Sequence, residues 1–275
     1  MILNKKSLKE LKEKLNIHSL ERIDIIGIRG AFTMDYGVIK DELIIEYQGV
    51  NYKKMNCLFI VCIDDSFIAF HGSTVPNIRY VKESVKNLKV KSNQLMPGVY
   101  RGYTLGKHSI GKASEHTALR QTKIQPILRT YDDFDYDDKD KIEVSNPYDN
   151  IHASWCELDS EYFETMGCQV IQGYPKGQKH KNNKGDWKDF MAAIESTHFN
   201  IFTYLLVPYK WLELSNDICI FGSHSNKVKE IQKKLRLEPD GYFGKNTFLS
   251  VLKFQKNNGL KVDGVVGQET YLKLM

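Results

Sequence analysis

Short apolar runs separated by Gly, Asn and Asp fill the middle of the chain, from residue 23 to residue 222. Runs of this kind are typical of β-strands, and the clearest are IDIIGIRG, DELIIEY, NCLFIVCID, FIAFHG and FNIFTYLLV. One segment has helical spacing instead, Asp186–Ser196, with Asp186 as its predicted N-cap. The pattern therefore predicts a mostly β domain over residues 21–222, with one or two helices.

The N-terminus shows a different period. Leu8, Leu11 and Leu15 recur on one helical face, and Ser7 stands where an N-cap is expected. We interpret residues 1–20 as a short amphipathic helix that packs on the β domain. A helix that binds a partner is the alternative.

An internal repeat organises residues 223–275. The segment DGYFGKNT recurs twenty-three residues later as DGVVGQET. Each Asp-Gly pair makes a tight turn, the second glycine tolerates the bend before a helix, and the threonine helps that helix to begin. Together with a helical pattern upstream, the repeat predicts three small helices around one core. The repeated positions are Asp240, Gly241, Gly244, Thr247, Asp263, Gly264, Gly267 and Thr270.

Composition and charge narrow the class of protein only slightly. Hydrophobic residues make up 41% of the chain and charged residues 27%, as in an ordinary globular protein. The formal net charge of +5 falls on Ser225–Met275, where ten basic residues face five acidic ones. Such an excess suits nucleic acid, an anionic membrane or an anionic cell wall. The five cysteines are an odd number, which argues against a disulfide framework.

The stretch NIHASWCELDSEYFETMGCQVIQ carries the candidate chemistry. His152 and Cys168 each lie beside a short apolar run, so that both are expected at the ends of adjacent strands. Gly167 leaves the thiol uncrowded. A thiol and an imidazole at such positions form a nucleophile and base pair, with Cys156 as the rival thiol.

The repeat over residues 223–275 strongly resembles the peptidoglycan-binding domain 1 family, through LRL, DGYFG, FQKNNGL and DGVVG. The resemblance implies a non-catalytic module that binds bacterial peptidoglycan, and it favours the cell wall as the object of the positive charge. We expect no nucleic-acid partner, no membrane partner and a monomer.

Residues 95–206 resemble the L,D-transpeptidase catalytic-domain family. The similar segments are LMPGVYRGY, NIHAS and TMGCQVI, and they match best a divergent, phage-associated branch with a Gly-Cys-Gln-Val motif. The resemblance implies a β-sandwich or barrel-like domain with a catalytic cysteine. The chain departs from the family at Ala153, at Met166, and at Val170, where a substrate-binding arginine is usual.

Carried onto this sequence, the resemblance implies catalytic roles for Cys168 as nucleophile and His152 as base. The backbone N–H groups of Gly167 and Cys168 are candidates for the oxyanion hole, because Gly167 allows close approach. The resemblance also implies substrate-binding roles for Asn150, Thr165, Gln169, His108 and Tyr100. The expected reaction is acyl transfer from a wall stem peptide, with hydrolysis favoured over cross-linking, and we expect neither a cofactor nor a metal ion.

Other interpretations remain open. A zinc amidase or peptidase would use His71, His108, His116 or His152, although no recognised ligand spacing is present. A non-enzymatic wall-binding or virion protein is the other alternative function.

Asp133, Asp135 and Asp137 alternate as calcium ligands do, but the loop lacks the glycine and glutamate of that motif, which favours a solvated acidic loop. The Lys-rich loop over Pro175–Lys188 is either a solvent-exposed loop without a binding role or a loop that binds an acidic substrate.

The N-terminus has no apolar signal-peptide core, and no apolar run is long enough for a transmembrane helix. With a wall substrate, these features resemble those of a phage endolysin. We therefore expect synthesis in the bacterial cytoplasm and action at the cell wall, after release by a holin or delivery on a virion.

Overall fold

The computed structural model of the chain describes residues 1–87, 91–130, 132–137, 139–177 and 179–275. The helices within these ranges are α1 Lys5–Lys14, α2 Ile78–Lys86, α3 Asp186–Ser196, α4 Asn226–Lys234, α5 Lys245–Asn257 and α6 Gln268–Leu274, with a 3₁₀ helix at Tyr209–Glu213. The first strands are β1 Ile2–Asn4, β2 Ile25–Arg29, β3 Ala31–Phe32, β4 Ile39–Lys40, β5 Glu42–Ile44, β6 Glu46–Tyr47, β7 Cys57–Ile63 and β8 Ser66–Ser73. The later strands are β9 Gln94–Leu95, β10 Gly98–His108, β11 His116–Arg120, β12 Gln125–Arg129, β13 Lys141–Ser145, β14 Ile151–Ala153, β15 Gln169–Ile171 and β16 Ile201–Pro208. No described helix has the length and apolar character needed to cross a membrane.

The main sheet closes on itself. Its strands follow the order β15-β14-β11-β10-β16-β2-β7-β8, and β8 then pairs with β15 through Val170 opposite Ser73. Strand β4 also pairs with β8, at Phe67 and Ile68. The result is a barrel-like sheet followed by helices, so the predicted fold class, mostly β with a small helical C-terminal region, is confirmed.

The central strands are buried on both faces, which explains why they read as continuous apolar runs. In β7, Phe59 and Val61 face one core, while Leu58 and Ile60 face another. The first core fills the barrel and includes Trp187 of α3. The second lies outside the barrel, where α1 covers the sheet. Alternate residues of one strand therefore hold two layers together.

Two helix starts differ from the sequence prediction. Helix α1 is capped by Asn4 rather than Ser7, and the Ser7 hydroxyl accepts from the Asn4 N–H in a reciprocal capping box. Helix α3 has the predicted bounds, but its N-cap is Gly185. The Asp186 carboxylate instead accepts the backbone N–H of His71 at 2.7 Å and contacts the His71 ring at 2.6 Å, so it ties α3 to β8.

In each copy of the repeat in the C-terminal module, one buried glutamine forms hydrogen bonds to several positions of the motif, which the sequence did not reveal. Gln255 accepts the N–H of Gly264 at 2.9 Å, and its amide donates to Asp263 and to Thr270. Gln232 makes the equivalent bonds in the first copy, to Gly241, Asp240 and Thr247. Each buried glutamine thus ties the Asp-Gly turn to the start of the following helix.

The module packs directly on the barrel. Phe221 lies between Tyr100 of β10 and Phe248 of α5, with ring centroids 5.9 Å and 5.8 Å away. The Val99 N–H donates to the Phe221 carbonyl at 2.9 Å, and the Gly222 N–H donates to the Phe243 carbonyl. One apolar core therefore runs from the barrel interior into the module.

Candidate active site

His152 and Cys168 are adjacent because two parallel strands place them there. Strand β14 pairs with β15, with His152 opposite Val170, and Cys168 immediately precedes β15. His108, at the end of β10, stacks on His152 with ring centroids 4.1 Å apart. One ring nitrogen of each histidine and the Cys168 Sγ lie within 4.8 Å of one another. The structure thus brings together the predicted nucleophile, the predicted base and one predicted substrate contact.

These three side chains line an open cavity of about 640 Å³. The wall also includes Thr165 and Met166, which precede Cys168. Cations and aromatic rings also lie at the rim, and they are Lys112, Lys179, Trp155, Tyr174, His180 and Tyr80. One carboxylate, Glu164, lines the cavity too and is paired with Arg79 at 2.6 Å. The cavity is large enough for a peptide segment.

Hydrogen bonds fix the resting tautomer of His152. Its Nδ1 lies 2.8 Å from the carbonyl of Ala153, and because a carbonyl only accepts, Nδ1 carries the proton. The lone pair of Nε2 is therefore free to act as a base. Burial, together with neighbouring His108 and His116, holds the pKa of His152 well below its usual value, so the imidazole is neutral near pH 7.

Cys168 is half-buried and its thiol is protonated at rest. Burial, and then the nearby Asp149 carboxylate, raise the pKa of Cys168 above its ordinary value. The Sγ donates to the Tyr148 carbonyl at 3.5 Å. The resting pair is therefore a neutral thiol beside a neutral imidazole. The thiol proton must therefore leave during attack, as a pair of nucleophile and base requires.

Gly167 is needed for space, and its N–H already has a partner. A Cβ at this position would lie 2.5 Å from the Asn93 amide nitrogen, so a larger residue displaces the turn before Cys168. The Gly167 N–H donates to the Thr165 hydroxyl at 3.1 Å, and that hydroxyl donates to the Cys168 carbonyl at 2.7 Å. Gly167 and Thr165 therefore shape the turn, and the expectation of an oxyanion donor at Gly167 is revised.

Three predicted substrate contacts lie elsewhere. Asn150 is buried behind His108 and donates to its Nδ1 at 2.9 Å. Gln169 is fully buried, where it accepts from Tyr204 and donates to the Gly167 carbonyl. Tyr100 lines a separate cavity against the C-terminal module. Asn150 and Gln169 position the site, and Tyr100 belongs to the core.

Several residues at the site were missed from sequence. Trp155 borders the cavity with a left-handed backbone, φ 61°, and Tyr148 at φ 63° presents the carbonyl that accepts the thiol. Non-glycine residues in this region store strain and cluster at functional sites. Trp155 lies three positions after His152, so that proximity was an available signal. Nothing in the local pattern marked Tyr148.

Asp149 is the buried acid of the site. Burial raises its pKa to about 7, although the Asn93 amide and Arg129 oppose that shift. Its backbone N–H donates to the Gln121 side chain at 2.6 Å. A carboxyl that titrates near neutrality beside a thiol is a feature of functional sites.

The same cluster is also a candidate metal site. His108, His152 and Cys168 are the one group of three or more metal-ligand side chains found in the described residues. The His108 Nδ1 lone pair is occupied by Asn150, so its Nε2 carries the proton and offers no lone pair. His71, another residue of the zinc interpretation, is paired with Asp186 away from this cluster. In the acidic loop, Asp133 and Asp137 accept backbone N–H groups of their own turns.

Comparison with protein families matches residues 224–274 to the putative peptidoglycan binding domain family. The match covers α4, α5 and α6 and confirms the predicted wall-binding module, with peptidoglycan as its partner. No curated protein and no solved structure matches the chain.

Proposed function

We propose that the chain is a cysteine enzyme that acts on peptide amide bonds of peptidoglycan. One observation carries the proposal: the Cys168 thiol and the His152 ring share an open cavity in a chain whose residues 224–274 match a peptidoglycan-binding family. A nucleophile, a base and a means of reaching the substrate then occur in one molecule.

The reaction proceeds by acyl transfer. His152 Nε2 takes the thiol proton as Sγ bonds to the substrate carbonyl carbon, and the carbonyl π electrons move to oxygen. When the C–N bond breaks, His152 returns that proton to the leaving amine. Water then attacks the thioester with His152 again as base, which releases the acid and restores the thiol. A positioned base of this kind typically contributes about 100- to 10,000-fold to the rate.

The cations of the rim support an acidic substrate. L,D-transpeptidase-like enzymes usually carry an arginine where this chain has Val170, so that charge has to come from elsewhere. Lys112 and Lys179 line the cavity and supply it. The Lys-rich loop after residue 174 thus gains a role in holding a carboxylate of the stem peptide.

The finer assignment is an L,D-transpeptidase-like, phage endolysin-like enzyme that hydrolyses the wall rather than cross-links it. The similar segments around His152 and Cys168, and the parallel strands that bring them together, support the likeness. The openness of the cavity to water supports hydrolysis as the outcome. Action at the cell wall follows from the C-terminal module.

The test is Cys168→Ala assayed on purified walls. We expect release of fragments to fall to background, while sedimentation with the walls is unchanged because the module is intact. Mass spectrometry of fragments from the unaltered protein then identifies the cleaved bond and shows whether water or an amine receives the acyl group.

Cys156→Ala is the matched control. This thiol is on the same stretch, but it is buried, donates to Ser154 and does not line the cavity. We expect it to retain activity. Full activity of Cys168→Ala, or walls left unchanged by the unaltered protein, contradicts the proposal and favours a non-enzymatic wall-binding protein.

A further inference from the structure

A second histidine of the site has its proton on the opposite nitrogen from His152. The side-chain amide oxygen of Asn150, Oδ1, accepts the backbone N–H of Gln121 at 3.0 Å, and this assigns the two ends of the Asn150 amide. The Asn150 NH₂ group is then the end that faces His108 Nδ1, at 2.9 Å. An NH₂ group only donates, so Nδ1 accepts and the proton of neutral His108 is on Nε2.

His108 is neutral under working conditions. Burial, together with His116, Arg120 and Lys112, lowers the pKa of His108 to about 4. The ring lines the same cavity as Cys168 and stacks on His152. Two neutral imidazoles therefore lie face to face beside the thiol, one offering a lone pair at Nε2 and the other an N–H.

The site also lacks a donor that was expected. Attack on a carbonyl places negative charge on oxygen, and such sites stabilise it with N–H groups aimed at that oxygen. The Gly167 N–H is committed to Thr165. The Cys168 N–H and the His108 Nε2–H are two candidate donors beside the thiol.

We propose that His108 is a catalytic residue that donates its Nε2–H to the developing oxyanion, and that Gln121 and Asn150 hold it in the donating tautomer. This inference rests on the proposed acyl transfer. His108 gives up no proton in the step: it donates a hydrogen bond to the oxygen while His152 carries the thiol proton. Enzymes use neutral imidazoles as electrophiles in this way.

Asn150→Asp is the discriminating variant. An Asp carboxylate still accepts the Gln121 N–H, but toward His108 it accepts where Asn donates. The proton of His108 then moves to Nδ1, and the oxyanion faces a lone pair. We expect turnover to fall about 100- to 1,000-fold with KM changed little, since one oxyanion donor is lost.

Two comparisons separate this role from a structural one. His108→Phe preserves a stacked ring without the N–H, so we expect a loss similar to that of Asn150→Asp and no further loss in the double variant. Asn146→Asp adds the same charge four residues away, and we expect it to leave turnover unchanged. Circular dichroism confirms that each variant is folded.

A readout independent of activity is the ¹⁵N NMR spectrum of the His108 ring. We expect the unaltered protein to show the proton on Nε2 and Asn150→Asp to show it on Nδ1. The exposed Nε2 lone pair of that variant, together with His152 and Cys168, also forms a metal site, so Zn²⁺ alone binds about 10- to 100-fold more tightly.

The outcomes distinguish the two proposals. A proton on Nδ1 of His108 in the unaltered protein, or full turnover in His108→Phe, overturns the donor role even if Cys168→Ala is inactive. Activity in Cys168→Ala overturns acyl transfer by this cysteine, and with it the donor role, while the NMR result on the tautomer stands on its own.

Discussion

At the scale of single residues, the site is controlled by hydrogen-bond partners that are not themselves reactive. A carbonyl sets the tautomer of His152, and an amide sets that of His108. Burial then keeps both rings uncharged. As the proposed base, His152 is ready without first losing a proton, and this has a measurable consequence.

The pH profile reports the lowered pKa of His152. The base acts only when neutral, so kcat/KM falls as the pH drops through its pKa. Because burial puts that pKa well below the usual 6.5, we expect the acid limb to lie below pH 6.5. The measurement is kcat/KM on soluble wall peptides from pH 4.5 to pH 8. A half-maximal point at or above pH 6.5 contradicts the expected environment of His152.

Asp149 makes the stability of the protein depend on pH. Its folded-state pKa is raised to about 7, so the folded protein holds a proton that the unfolded chain releases above about pH 4. The free energy of unfolding therefore falls by as much as about 4 kcal/mol as the pH rises from 4 to 7, and it is constant above pH 7. We expect Asp149→Asn to lose this slope. Urea unfolding at pH 5 and pH 8 tests it, and an unchanged slope in the variant contradicts it.

At the scale of elements, the wall-binding module depends on its two buried glutamines. Gln255 accepts the Gly264 N–H and donates to Asp263, the Val265 carbonyl and Thr270. We expect Gln255→Ala to lower the free energy of unfolding by roughly 1–3 kcal/mol, because buried polar groups lose their partner. Chemical denaturation measures the loss. The exposed Gln268→Ala is the control, with a change within about 0.5 kcal/mol.

Local signals in the sequence were sufficient for most elements and for the pairing of His152 with Cys168, which the structure brings together. Apolar runs predicted β2, β7, β8 and β16, and the 23-residue repeat predicted the module. The closure of the sheet through β8 and β15 depends on pairing between distant segments, for which no local pattern exists. Asn150 shows the same limit at the site: its motif position was recognised, but its role depends on the Gln121 N–H, which only the fold places beside it.

At the scale of the whole molecule, the module and the barrel share one core, so they are expected to unfold together. Phe248 is buried against Phe221, which in turn packs on Tyr100. We expect Phe248→Ala to destabilise the protein by about 3–5 kcal/mol and to lower the midpoint temperature of a single unfolding transition. Calorimetry distinguishes the alternatives, and two separate transitions in the unaltered protein contradict a shared core.

The direct packing of the module on the barrel also sets a length scale for the proposed reaction. A flexible tether lets a catalytic domain search a volume around its anchor, with an effective concentration set by the tether. Here Phe221 and Gly222 join the two parts by backbone hydrogen bonds and buried rings, with no tether between them. Under the proposed function, a strand of wall polymer held by the module reaches Cys168 at one offset and in one orientation. The spacing of the cut bonds is then expected to report the geometry of the fold.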